Sequence, residues 1–138
     1  MLSNPLLNNE IQDFINKNIG LSISKMALQK NSFPEVDWIS ILNQIEIKTK
    51  AKEKLPTWFS TKNIIYPSKI SVEQTSSEKT ASYKATIVSG ERLIDLTGGF
   101  GVDDYYFSKK MNTVVHCEIN PELSSIVKHN FEQLKIPN

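Results

Sequence analysis

Hydrophobic residues in the first part of the chain recur at the three- and four-residue spacing that is typical of amphipathic helices. The first such stretch spans residues 6–19, and Gly20 is a suitable end for a helix there. Ser22 is then placed to cap a second, short helix. The pattern therefore predicts that the chain begins with two helices.

A third helix is predicted to begin at Ser32-Phe33-Pro34-Glu35, because serine, proline and an acid are all favoured at a helix start. It is expected to end near Leu55, just before Pro56. The stretch 46–54 contains four lysines, which we interpret as a solvated helix end, with an RNA-phosphate patch as the alternative. Residues 1–62 are thus predicted to form a small helical N-terminal domain.

The pattern changes after residue 62. Residues 63–72 are predicted to be an extended connector, since Pro67 disfavours a central strand. Residues 75–78 fit a capping box, in which the hydroxyl of Thr75 and the carboxylate of Glu78 satisfy the first backbone donors of a helix. Just before the connector, Trp58 is expected to pack between the helical part and the part that follows.

Two short apolar stretches, residues 92–96 and 113–118, are predicted to be β-strands. A helix from about 102 to 110 lies between them, and Asn120-Pro121-Glu122 is a strong start for another helix. This alternation favours a parallel sheet with a right-handed crossover. We therefore predict an α/β fold, in which the helical unit precedes the first β-α-β-α of an incomplete Rossmann-like domain at residues 63–138.

Composition adds limits to this prediction. The net charge of +1 gives no global field for nucleic acid, although a local patch would suffice for RNA. The single cysteine, Cys117, excludes an intramolecular disulfide and favours a cytoplasmic location. The first residues lack the pattern of a signal peptide, and no apolar run is long enough to span a membrane. His116 and His129 lack the spacing of metal ligands, so no metal site is predicted.

The glycines gather directly after the first predicted strand. Gly98, Gly99 and Gly101 lie where backbone amides can approach a ligand, because no side chain intervenes. Ligands of open α/β sheets bind beyond the carboxyl ends of the strands. Glu118 ends the second strand, where a carboxylate can accept hydrogen bonds from both hydroxyls of a ribose. Asp95, at the start of the turn, either caps the turn or orients the cofactor. The sequence therefore predicts a nucleotide-cofactor site.

Two acids in the first turn of the following helix help to choose the nucleotide. Asp103 and Asp104 would repel a pyrophosphate that needs this helix end as its anion site. They are compatible with S-adenosylmethionine, which has no phosphate and carries a sulfonium and an ammonium group. We interpret both acids mainly as partners of the helix dipole. The charges favour S-adenosylmethionine over NAD.

These residues also resemble a known family. Asp-Leu-Thr-Gly-Gly-Phe-Gly at residues 95–101 resembles motif I of class I S-adenosylmethionine-dependent methyltransferases, and Glu118 matches the acid of motif II. Residues 71–84 are similar to a group of bacterial predicted RNA methyltransferases with a THUMP-like domain, and distantly similar to trimethylguanosine synthases. The clear resemblance covers roughly residues 63–138. It implies the following cofactor-binding residues: Ser76, Asp95, Thr97, Gly98, Gly99, Phe100, Gly101 and Glu118.

The resemblance also implies what to expect of the activity. The family's adenine contact and its catalytic Asn/Asp-Pro-Pro-aromatic motif would fall after residue 138, so no catalytic residue is predicted here. We expect an N-terminal fragment of an RNA methyltransferase that has no turnover and an affinity for the cofactor weaker than millimolar. The alternatives are a non-catalytic RNA- or protein-binding module, or an NAD-type nucleotide-binding fragment. The first strand would be left with an unpaired apolar edge, which predicts self-association of the chain.

Overall fold

In the computed structural model, which describes residues 2–136, helices precede and flank a parallel sheet. A 3-10 turn at Pro5–Leu7 comes first. The helices and strands then follow in this order: α1 (Asn9–Lys17), α2 (Ile23–Ala27), α3 (Trp38–Lys54), α4 (Pro56–Ser60), α5 (Lys69–Gln74), α6 (Glu78–Ile87), β1 (Arg92–Asp95), α7 (Val102–Ser108), β2 (Thr113–His116) and α8 (Pro121–Gln133).

The predicted start of the third helix is wrong. Helix α3 begins at Trp38, because Asp37 caps it by accepting a hydrogen bond from the backbone N–H of Ser40 at 3.2 Å. Before Asp37 the chain makes a turn, in which the N–H of Val36 donates to the carbonyl of Phe33 at 3.0 Å. The predicted end is confirmed, since α3 stops at Lys54, shortly before Pro56.

The segment before the sheet also differs from its prediction. The extended connector ends at Ser68, whose hydroxyl accepts a hydrogen bond from Ser71 N–H and caps α5, so residues 69–72 are helical. The capping box is wrong as well. Ser77 is the N-cap of α6 and accepts from Thr80 N–H at 3.1 Å, while Glu78 turns away to contact other elements.

The parallel β-α-β unit is confirmed. Strands β1 and β2 pair in parallel, with Leu93 opposite Val114, and they form a two-stranded sheet within the described residues. The predicted helix start after β2 is also confirmed. The Asn120 side chain accepts from the N–H groups of Glu122 and Leu123. The chain is therefore a helix-rich mixed α/β structure, and completion of a Rossmann-like sheet stays a prediction.

One hydrophobic core runs through both predicted parts of the chain. Trp58 is fully buried and lies 5.0 Å from the ring of Tyr105 and 6.1 Å from that of Phe100, as its predicted packing role requires. The Asn130 side chain bonds both backbone groups of Ile65, so α8 is tied to the segment before α5. The predicted boundary near residue 62 stays a prediction, and side chains pack closely across it.

Within residues 2–136, no helix is long and apolar enough to cross a membrane.

Candidate functional site

The glycine turn is held to the end of β2 by backbone hydrogen bonds. Gly98 N–H donates to the carbonyl of Cys117 at 2.8 Å, and Gly101 N–H closes the turn on the carbonyl of Gly98 at 2.9 Å. Gly99 and Gly101 have φ values of +54° and +82°, a region that residues with a Cβ rarely adopt. The turn therefore has a defined shape, which depends on glycine at these two positions.

Packing restricts the turn as strongly as the backbone does. A Cβ on Gly98 would overlap the imidazole ring of His116. A Cβ on Gly101 would lie 2.5 Å from Cζ of Phe131 on α8. The sequence pattern suggested glycines that leave room for a ligand, and the structure adds that two of them leave room for side chains of the protein itself.

Asp95, the last residue of β1, and Glu118, just beyond β2, both contact the backbone of this region. Glu118 accepts from Gly99 N–H at 3.1 Å and from Asn120 N–H at 2.8 Å, so its carboxylate lies against the glycine turn. Asp95 accepts from the N–H of Thr97 at 2.9 Å and caps the start of the turn. Asp95 therefore has a structural role, and its proposed contact with a cofactor stays a prediction.

A cavity of about 390 Å³ opens beside the glycine turn. It lies between the turn, the end of β2 and the segment that joins α5 to α6. The predicted site residues that line it are Ser76, Thr97, Gly98, Gly99, Phe100 and Glu118. Asp95 and Gly101 lie outside this lining. The structure thus brings most of the predicted residues together at one concave surface.

Lys84, Ser76 and Asp103 form a polar cluster on the wall of this cavity. The ammonium of Lys84 lies 3.1 Å from Oδ2 of Asp103 and 2.8 Å from the hydroxyl of Ser76. The other carboxylate oxygen of Asp103, Oδ1, is buried and has no hydrogen-bond partner among the described residues. Asp103 lines the cavity, but its Oδ1 is not on the accessible surface. The sequence indicated Ser76 but gave no reason to select Lys84.

Asp104 points away from the cavity and forms a buried pair with His116. Its Oδ2 lies 2.6 Å from Nδ1 of His116, and the Asp104 side chain is 1% exposed. Burial, followed by the nearby charge of Asp95, raises the pKa of Asp104 to about 6, although the contact with His116 opposes this shift. The interpretation of Asp104 as a dipole partner and of His116 as an ordinary strand residue missed this contact, since the two residues lie on different elements.

Comparison with known proteins supports the class of fold. The chain is similar to the crystal structure of a putative methyltransferase from Porphyromonas gingivalis W83, with 29% sequence identity and a TM-score of 0.77. The match covers 97% of this chain and 34% of that protein, so the chain spans about a third of its length. This likeness supports a methyltransferase-like fold. No protein-family model and no curated protein matches the chain.

Phe100 differs from the other predicted site residues. It is only 2% exposed, and its ring lies 6.1 Å from the rings of both Trp58 and Tyr66. Part of the residue lines the cavity, but the aromatic ring belongs to the core. Phe100 therefore anchors the glycine turn to the helical part of the chain.

Three of the four lysines of α3 have partners within the chain. Lys48 is buried and donates to Oδ1 of Asn16 at 2.6 Å, and burial lowers its pKa. Lys50 pairs with Glu73, and Lys54 donates to the backbone carbonyl of Glu73 at 2.9 Å. Lys52 is exposed, and the RNA-phosphate patch stays a prediction. Within residues 2–136, no group of acids, histidines and cysteines could hold a metal ion.

Proposed function

We propose that this chain forms the cofactor-binding portion of an S-adenosylmethionine-dependent methyltransferase that acts on RNA. The observation that carries this proposal is the position of Glu118, which follows the end of β2 and lies against the glycine turn at the edge of the cavity. A carboxylate at this place suits a ribose. The likeness to a putative methyltransferase supports the same class of activity.

The chemistry of the cavity suits the ribose and the methionine part of this cofactor. Glu118 would accept hydrogen bonds from the ribose hydroxyls. The negative charge of Asp103 would attract the ammonium of the methionine part, and Lys84 and Ser76 would contact its carboxylate. The carboxylate of Asp103 in the first turn of α7 disfavours the pyrophosphate of NAD. The carboxylates of the cavity therefore fit the cationic groups of S-adenosylmethionine better than the phosphates of a dinucleotide.

The residues of this chain bind and orient, and we assign none of them to the chemical step. The cofactor, when bound, supplies a methyl carbon that the adjacent sulfonium activates. Methyl transfer then requires mainly an acceptor atom held close and in line. Asp95 and Thr97 fix the start of the glycine turn, while Phe100 fixes its middle in the core. The turn is thus positioned before a ligand arrives.

The identity of the acceptor rests on sequence resemblance. Residues 71–84 are similar to bacterial predicted RNA methyltransferases, and this similarity is the reason for proposing RNA. The chain spans 34% of its structural neighbour, so the proposed activity belongs to a longer protein in which other segments would select the RNA. We expect no turnover by residues 1–138 alone.

A titration followed by NMR would test the cofactor assignment. Addition of S-adenosylhomocysteine to the isotope-labelled chain should cause saturable shifts of the amides of Gly98, Gly99 and Glu118, with an affinity weaker than millimolar. Glu118→Ala should abolish saturation, whereas Glu122→Ala, on the neighbouring helix, should not. Absence of saturable shifts in the wild-type chain, or tighter binding of NAD, would overturn the proposal. Micromolar binding would contradict the expected weakness.

A further inference from the structure

A buried acid–imidazole pair lies directly beneath the proposed cofactor site. Oδ2 of Asp104 on α7 lies 2.6 Å from Nδ1 of His116 at the end of β2. The other polar atoms of the pair, Oδ1 of Asp104 and Nε2 of His116, are buried and have no partner among the described residues. The two groups therefore depend on each other for their hydrogen bonding. A buried polar pair of this kind is sensitive to any change in its protons.

The pair contacts the glycine turn through the imidazole ring. The ring of His116 occupies the space that a side chain at position 98 would need, so it packs against the backbone of Gly98. On its other side, the ring makes an edge contact with Phe131 at 5.9 Å, and Phe131 in turn fills the space beside Gly101. A movement of this ring would therefore reach the turn at both Gly98 and Gly101.

Charged groups from several elements face this pair. Burial, and after it the charge of Asp95 at the end of β1, raises the pKa of Asp104 to about 6. On α8, Lys128 and Glu132 line a cavity of about 340 Å³ together with His116. Asp103, next to Asp104 in sequence, is turned toward Lys84 instead. Protonation of Asp104 near pH 6 would remove one negative charge from the pair.

We infer that Asp104 and His116 act together as positioning residues for the glycine turn, so that proton uptake by the pair shifts the turn and weakens cofactor binding. The weakening has two physical causes. The ring of His116 would adjust against Gly98, and the cationic groups of the cofactor would lose a nearby negative charge. The inference rests on the proposed function for its effect on the cofactor. Its effect on the turn concerns the free protein alone.

The free chain tests the first part. In a pH titration from 5 to 8 followed by NMR, the ring protons of His116 and the amides of Gly98 and Gly101 should change with one common midpoint. Asp104→Asn should move that midpoint for all three residues. The ring of His129, which bonds the carbonyl of Asn63 at 2.8 Å, is the internal control, and Asp104→Asn should leave its signals unchanged. Amides of the turn that stay constant while His116 titrates would overturn the inference.

Cofactor binding tests the second part. The wild-type affinity for S-adenosylmethionine should fall about two- to threefold from pH 7.5 to pH 5.5, which corresponds to a decrease of roughly half to one unit in the pKa of the pair on binding. Asp104→Asn should lose this dependence. If no cofactor binds at any pH, the proposed function fails, while the titration of the free chain still decides whether the pair controls the turn. If Asp104→Asn does not fold, the inference is tested by the wild-type chain alone, in which the His116 ring and the amides of Gly98 and Gly101 should share one midpoint.

Discussion

The carboxylate of Glu78 lies 2.7 Å from the phenol oxygen of Tyr106, which donates a hydrogen bond to it. The same carboxylate accepts from the backbone N–H of Thr57 at 2.6 Å and from its hydroxyl at 2.7 Å. Helices α4, α6 and α7 thus meet at one side chain that is only 7% exposed. This carboxylate connects the helical part of the chain with the helix that follows the glycine turn.

Removal of this carboxylate should destabilise the protein. Glu78→Ala leaves the N–H of Thr57 and the hydroxyl of Tyr106 without their acceptor, and we expect the free energy of unfolding to fall by about 2–3 kcal/mol. Glu73→Ala is the matched control, since Glu73 forms an exposed ion pair with Lys50. The control should change stability by less than about 0.5 kcal/mol. Chemical denaturation of both variants measures the difference, and equal losses would contradict the assigned role.

Stability should also fall at alkaline pH. Burial, together with the hydrogen bond to Glu78, raises the pKa of Tyr106 from 10.0 to about 12. The unfolded chain therefore loses this proton first, so the contribution of Tyr106 is complete below pH 10 and is lost as the pH rises toward 12. Burial raises the pKa of Tyr66 as well. Denaturation between pH 8 and 12 should show a decline that is smaller in Tyr106→Phe than in the wild type. An unchanged decline would count against this origin.

Two glycines with similar backbone angles separate the effects of strain and packing. Gly101 and Gly20 have φ values of +82° and +83°, but a Cβ on Gly20 would meet nothing within 4 Å. We expect Gly20→Ala to cost about 1 kcal/mol for the left-handed backbone alone. Gly101→Ala should cost about 1–3 kcal/mol more, because its Cβ would overlap Phe131. Thermal unfolding compares the two variants, and similar melting temperatures would show that α8 moves aside freely.

Self-association through the sheet stays a prediction with a clear experimental test. Ile94 on β1 is 63% exposed and Val115 on β2 is 45% exposed, so apolar side chains of both strands face outward. We expect the mass measured by light scattering to rise with concentration. Ile94→Lys should suppress this rise. Ile87→Lys, on a helix residue that is 68% exposed, is the control and should not. A wild-type chain that stays monomeric at all concentrations would refute the prediction.

The sequence correctly predicted those features of the fold that depend on residues close together in the chain. The cap at Asn120 and the parallel strands around a helix follow from short-range chemistry and hydrophobic periodicity, and both are confirmed. The helix start predicted from Pro34 is wrong, because Asp37 caps the helix and lies directly before its first residue, Trp38. Glu78 has the correct spacing for a capping box but finds stronger partners on distant elements.

Local rules could not predict the pair of Asp104 and His116 either, because its two members lie on different elements. Asp104 and His116 are separated by 12 positions, and their contact exists only because α7 packs against β2. Lys84 likewise reaches Asp103 only through the packing of α6 on α7. In each case local sequence patterns describe one partner at a time, so a contact between elements stays hidden until the fold is known.

The two hydrogen bonds of Glu118 have a thermodynamic consequence for ligand binding. A free glutamate side chain would lose rotational freedom when a ligand orders it, at a cost of about 0.5–1.5 kcal/mol. Here the amides of Gly99 and Asn120 already hold the carboxylate in one orientation. That entropy is lost when the protein folds, and it therefore does not have to be lost again when a ligand binds.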